Sequence, residues 1–329
     1  RWGDHVEGFV TGSAFTDEHD DLEWEWEEFF LKLTNLPNGL ELRGGRFLNR
    51  VGLHNPTHLH SWHTVDAPLP HALFLGEDGL ATNGAELNFY LDTRQATVLS
   101  MSFGQRPAHD EHGHGDHDDD HDDEHDDDDD HDGFGAFEEF GVNEDIFTIG
   151  LRRDHRFDDF KSLQVAFFGG FGDNEEGGDA WFAGAGAEYV WRENGLEPGG
   201  RALSWRTEAI QFRGEHGHVE HDDGHEDDHH GEDDLGEEDE TVSTWGLTTQ
   251  LVYEAHPHAH PFARMDYMAA TDALDLSDWI RYSCGVTIPL QEAPRLYVRL
   301  QGNADERGSE SEQSIWVQLG FSWGRPEVR

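Results

Sequence analysis

The stretch Ser314-Ile-Trp-Val-Gln-Leu-Gly-Phe-Ser-Trp-Gly324 alternates along its length. Ile315, Val317, Leu319, Phe321 and Trp323 fall on one side, and Ser314, Gln318, Gly320, Ser322 and Gly324 on the other. Successive side chains of a strand point to opposite faces, so the pattern predicts a strand with one apolar face and one small or polar face. The same rhythm recurs toward the N-terminus. Leu296, Val298 and Leu300 oppose Arg295, Tyr297, Arg299 and Gln301, and Ile280, Tyr282, Val286, Ile288 and Leu290 oppose Trp279, Arg281, Ser283, Gly285 and Thr287. In 22–33 the alternation begins on Leu22, Trp24 and Trp26 and changes phase to Phe29, Leu31 and Leu33, as a β-bulge near Glu27–Glu28 requires. About fourteen such segments follow one another, and helical periodicity is scarcely visible. They lie at roughly 4–15, 22–33, 40–47, 83–91, 97–104, 146–153, 161–172, 180–192, 202–213, 242–254, 261–269, 278–290, 294–303 and 313–324.

Most of these segments exceed the ~5–6 residues of an ordinary soluble strand and suit a tilted membrane strand. Their connections alternate. One set is short, such as Asn35–Gly39 and Gln291–Ala293, while the other contains the long stretches 48–82, 105–145 and 214–241. The expected fold is therefore all-β: a transmembrane antiparallel up-and-down barrel of about 14 strands (12–16), one domain over 1–329. Short turns face the periplasm, and the His- and Asp-rich loops 105–145 and 214–241 face outward. An even strand number puts both ends of the chain at the short-turn rim. A soluble sandwich or propeller would turn the apolar set inward. Here the apolar set is aromatic-ended, and the polar set is rich in Gly, Ser, Arg and Glu, as a wet lumen is.

The chain carries 71 Asp and Glu against 22 Lys and Arg, a formal charge of −49. Residues 109–132 hold 15 acids and 215–240 hold 14, with no Lys or Arg in either, so the rest of the chain carries only −20. Such a charge repels nucleic acid and anionic lipid surfaces. With 12% aromatic residues, disorder does not describe the chain. No apolar run of 18 residues offers a transmembrane helix, and no charged-then-apolar leader stands at Arg1, so the chain reads as mature or truncated. Cys284 is the only cysteine, which excludes an internal disulfide and a Cys-based metal knuckle. Its parity, beside Tyr282 and Val286, puts it on the lipid side.

Residues 28–91 carry a more specific signal. A strand and turn lead into Leu40–Phe47, then a loop with Asn55, His58, His60, Trp62 and Asp66, the element Ala67–Leu69, Phe74–Gly76 and Gly84. This arrangement resembles a family of Gram-negative outer-membrane barrels loosely called zinc-regulated or porin-like outer-membrane proteins. The resemblance covers about 60 residues and implies an outer-membrane barrel with a link to metal supply. With no plug expected ahead of the strands, and too few strands for the 22-stranded plugged transporters, the chain does not read as an energised receptor.

Histidine supplies the candidate metal ligands. One acidic loop holds His109, His112, His114, His117, His121, His125 and His131; the other holds His216, His218, His221, His225, His229 and His230. Imidazole with carboxylate suits zinc first, then copper and nickel, and Asp126–Asp130 offers the oxygens that calcium takes. Overlapping ligand sets of this kind bind moderately and with more than one ion; a solvated, self-repelling loop is the plainer reading. In 48–82, His54, His58, His60 and His63 stand close to Trp62 and Asp66. Folded into the lumen, they would either form one ordered site or pin the loop to the wall by hydrogen bonds. His256, His258 and His260 sit on a Pro-punctuated turn at the opposite rim.

The lumen-facing parity includes Glu23, Glu25, Arg43, Glu86, Arg152, Glu188, Arg206, Glu208, Arg264, Asp266, Arg281, Arg295 and Arg299, a mixed-sign set of selectivity candidates. No G-x-S-x-G, H-E-x-x-H or phosphate-binding glycine loop is present, so no enzyme is expected. The leading expectation is a porin-like protein that captures divalent metal at its outer loops and lets it pass passively. The rival is a structural or interaction barrel that displays acidic loops to a surface partner. An open bore favours the first and a lumen filled by 48–80 the second. Outer-membrane lipid and metal ions are the expected partners; oligomeric state is not legible, although trimers are common among porins.

Overall fold

The computed structural model describes residues 5–16, 22–58, 61–92, 96–107, 140–174, 177–215, 241–274, 276–292 and 295–322. Fourteen strands follow in chain order: β1 (Val6–Thr16), β2 (Leu22–Leu36), β3 (Leu40–Leu48), β4 (Ala81–Asp92), β5 (Thr97–Gln105), β6 (Glu144–Arg156), β7 (Lys161–Asp173), β8 (Asp179–Arg192), β9 (Ala202–Glu215), β10 (Thr241–Glu254), β11 (His260–Met268), β12 (Trp279–Glu292), β13 (Arg295–Arg307) and β14 (Glu310–Ser322). They form one sheet in the order β1 to β14, each strand antiparallel to the next. The expected bulge is present: three steps of β2, Glu25 to Glu28, oppose two steps of β1, Ser13 to Thr11.

β13 and β14 run farther than alternation predicts and are joined by Gly308 and Ser309 alone. Asn303–Arg307 is mostly polar at both parities, and there the hydrophobic pattern fades although pairing continues to Arg307↔Glu310.

The outward parity is apolar and bare. Ile315, Val317, Leu319 and Phe321 are 87%, 73%, 71% and 64% exposed, and Leu31, Phe103, Phe167, Phe171 and Leu290 extend the belt around the sheet. Cys284 is exposed on the same side.

No ladder among the described residues joins β14 back to β1. The sheet is nonetheless rolled. His58 reaches Glu28 on β2, while the Trp62 carbonyl meets Arg299 on β13. In a flat sheet, strands eleven spacings apart would be separated by about 50 Å, whereas four residues of chain span at most about 14 Å. The two ends of the sheet must therefore curl toward each other around the segment between β3 and β4.

The inner face is not uniformly polar, and here the expectation of a wet lumen is corrected. Ile146, Phe168, Phe182, Ile210, Phe212 and Val242 pack inward from β6–β10 against Leu69, Leu73, Phe74 and Leu75. Those four belong to α1 (Leu69–Leu75), the one α-helix among the described residues. Pro70 in its first turn and Gly76 at its end (φ 92°) bound it, and the Gly76 N–H closes it on the Ala72 carbonyl at 3.1 Å. Phe74 stacks on Phe212 at 5.1 Å. Each large apolar side chain buried this way contributes about 1.5–3 kcal/mol, so one side of the interior is a dry core. Gly320 has a packing role as well: a Cβ there would lie 1.9 Å from the Tyr297 ring, so the ring lies over the glycine.

Candidate functional site

The segment between β3 and β4 leaves and re-enters the sheet at one point. Asn49 N–H donates to the Leu80 carbonyl at 2.9 Å. Asn55 ties the same neck: its Nδ2 donates to the carbonyls of Asn49 (2.8 Å) and Leu80 (3.0 Å), and its Oδ1 accepts the Leu80 N–H at 2.7 Å. Between these ends the chain crosses the interior and bonds to strands on every side.

On the β8–β10 side, Gly52 (φ +67°) passes directly over Glu208, where a Cβ would lie 2.6 Å from its carboxylate oxygens. That carboxylate, fully buried, accepts the Leu53 N–H at 2.6 Å and pairs with His71 Nε2. Beside it the His54 ring packs at a tilt against those of His71 (centroids 4.8 Å apart) and Trp62 (4.4 Å). Burial holds the His54 pKa well below the ordinary value, helped by His71, Arg206 and Arg264, so this imidazole is neutral.

On the β2 side, His58 Nε2 lies 2.6 Å from Glu28 and Nδ1 3.4 Å from Glu27. On the β11–β13 side the segment is anchored by Asp66. Its carboxylate accepts from Arg264 (2.8 Å), Arg281 (3.3 Å), Gln301 (2.6 Å) and Asn303 (3.1 Å). Arg264 also holds Asp266 at 2.9 Å, and Arg281 holds Asp305 at 2.6 Å. Burial opposes ionisation of Asp66, but Arg264, Gln301 and Arg281 outweigh it and keep the pKa below the ordinary carboxylate value. A depressed carboxylate stabilises above its unfolded pKa and loses that contribution as pH falls through the folded one. This anchor therefore persists across the neutral range and opens only in acid. Arg299, Gln301 and Thr287 take the backbone of Trp62, Val65 and His63.

Near the wall, Arg43 pairs with Glu86 at 2.8 Å, lies over Phe47 at 4.3 Å and donates to the Leu48 carbonyl. Arg50 joins Glu86 at 3.3 Å. Arg206 and Glu188 pair at 3.2 Å and, with His54, His63, Ser204 and Gln250, line a polar cavity of about 110 Å³.

The structure thus brings His54, His58, His63 and Asp66 onto one internally folded segment but divides them among different walls. Arg43, Glu86, Arg152, Glu188, Arg206, Glu208, Arg264, Asp266, Arg281 and Arg299 all turn to the inner face. His60, the side chains of Glu23, Glu25 and Arg295, and all thirteen loop histidines from His109 to His131 and His216 to His230 lie outside the described residues. Among the described residues no group of three metal-capable side chains converges. Sequence reasoning passed over His71, Gln301, Asn303 and the α1 core. Pro70 and Gly76 could have flagged the helix, whereas nothing local marks Gln301 or Asn303 as partners of Asp66.

No family model matches the chain. Over 88 residues it is 36% identical to an uncharacterized protein of Aquifex aeolicus (strain VF5), a match that covers 24% of this chain and 18% of that protein. The chain therefore spans under a fifth of that relative's length. Among solved structures, an anion-selective porin from Comamonas acidovorans aligns over 95% of this chain and 98% of its own, with a TM-score of 0.48 and 12% identity.

Proposed function

We propose that the chain is a porin-like β-barrel of a Gram-negative outer membrane, in which the internal segment narrows a passive path for small solutes. The observation that carries this reading is the inside-out distribution of polarity. Bare apolar side chains cover the outer parity of strands from β2 to β14, and buried ion pairs occupy the inner parity. A soluble monomer rarely exposes apolar patches beyond a few hundred Å², whereas a membrane strand requires an apolar outer face. The acidic, His-rich stretches belong to the long-loop rim and would gather divalent transition metal, zinc first, at the outer mouth.

The single cysteine tests the membrane placement directly. A spin label on Cys284 of the reconstituted chain is expected to collide readily with oxygen and scarcely with a soluble nickel chelate. The opposite ranking would remove the lipid from that face. For the metal-gathering part, calorimetry with zinc should give several moderate sites on the full chain and markedly fewer after removal of 109–132. Equal stoichiometry in both would end it.

A second reading has its own support. The segment fills the interior from β2 to β13, which favours a closed barrel that displays its acidic loops to a partner. Conductance separates the two.

A further inference from the structure

The polar cavity beside the internal segment has a feature that neither the ion-pair network nor the outer loops account for. His63, on that segment, lines the cavity, and its ring centroid lies 6.0 Å from that of His260. The approach is built by the fold. The His63 carbonyl accepts the Thr287 hydroxyl at 3.0 Å, and Thr287 is the residue paired with His260 across β11 and β12. His260 shares the inward parity of Arg264 at the short-turn end of β11. Two residues earlier, His258 Nδ1 lies 2.8 Å from the Pro289 carbonyl. A carbonyl only accepts, so Nδ1 donates, and this bond fixes the turn that leads into His260.

The same cavity also holds an unsatisfied imidazole nitrogen. His54 is fully buried, lines the same cavity, and its Nε2 has no hydrogen-bond partner. Arg206, which lines the cavity, is paired with Glu188 at 3.2 Å.

We propose that His63 and His260 hold a divalent transition-metal ion between the internal segment and the barrel wall near the short-turn rim. Two imidazoles sharing an ion at about 2.0–2.1 Å place their ring centroids roughly 5–6.5 Å apart, which the observed spacing satisfies. No third metal-capable side chain is preassembled among the described residues, so water completes the coordination. Zinc, copper and nickel fit this donor set, and magnesium and calcium do not. The site requires neither the outer loops nor passage of solutes.

The test is acylation of histidine rings in the full-length detergent-solubilised chain, read residue by residue by mass spectrometry, with free zinc fixed by a chelating buffer. Zinc should protect His63 and His260 together, with one midpoint, and by about tenfold when free zinc is ten times that midpoint. Magnesium should protect neither, and His155, on β6, should react alike throughout. In His260→Ala, zinc should no longer slow His63: its rates with and without zinc, both measured in the variant, should agree. Protection of His63 that survives His260→Ala, or two different midpoints, would overturn the site. So would absence of protection at any zinc concentration that leaves the chain folded.

Discussion

Excising residues 51–78 and closing the gap with a tight turn raises single-channel conductance in planar bilayers by at least about threefold, because conductance follows the free cross-section of the bore. The geometry permits the excision, since Asn49 and Leu80 are already hydrogen-bonded to each other where the insertion begins and ends. What is removed is the one stretch that touches Glu28, Glu208, Asp266 and Gln301 from a single side of the sheet. The excision has a cost. Phe168, Phe182, Ile210 and Phe212 lose α1 and face water, at about 1.5–3 kcal/mol for each fully uncovered side chain. The variant should consequently unfold in less urea while conducting more. A parent chain that is silent and a variant that conducts would establish the closed-barrel reading. Equal conductance in the two would show that the segment is not the constriction.

Arg264→Met lowers stability by about 3–5 kcal/mol, measured by urea unfolding in micelles, with little loss of side-chain volume. Arg264 is buried and holds two carboxylates, Asp66 at 2.8 Å and Asp266 at 2.9 Å. Removing one partner of a buried ion pair leaves the other charge without compensation, and that uncompensated charge dominates the loss. Asp266→Asn added to Arg264→Met should recover part of the stability, because one stranded charge is then gone. A loss below about 1 kcal/mol, the range of an exposed pair, would mean that water screens this cluster.

The strands were legible because a sheet obeys a period of two wherever apolar groups lie on one face and polar groups on the other. Strand number, the phase change in β2 and the outward position of Cys284 all follow from that local rule. It failed in two places for physical reasons. At Asn303–Arg307 the mostly polar residues gave no contrast between the faces, although the strand continues. At Phe168, Phe182, Ile210 and Phe212 the inward positions are apolar because α1 covers them, and the covering residues lie far away in sequence. The site was legible only as a list of residue types. Asp66, His58 and Trp62 stood out by composition, but their partners are set by tertiary contact. Asp66 meets Asn303 across 237 positions, and no spacing rule reports such a pairing.

Those long separations impose an order on assembly. The partners of Asp66 lie on β11, β12 and β13, at 198 to 237 positions further along the chain. Contacts of that range form late, after loop-closure entropy has been overcome by the strands between. The insertion is made early but cannot be seated until almost the whole wall exists. A nascent sheet that stops after β10 would hold α1 against its apolar partners but lack the Asp66 and Leu69 contacts to β11–β13. The full set of Asp66 bonds therefore exists only once β11, β12 and β13 are all in place.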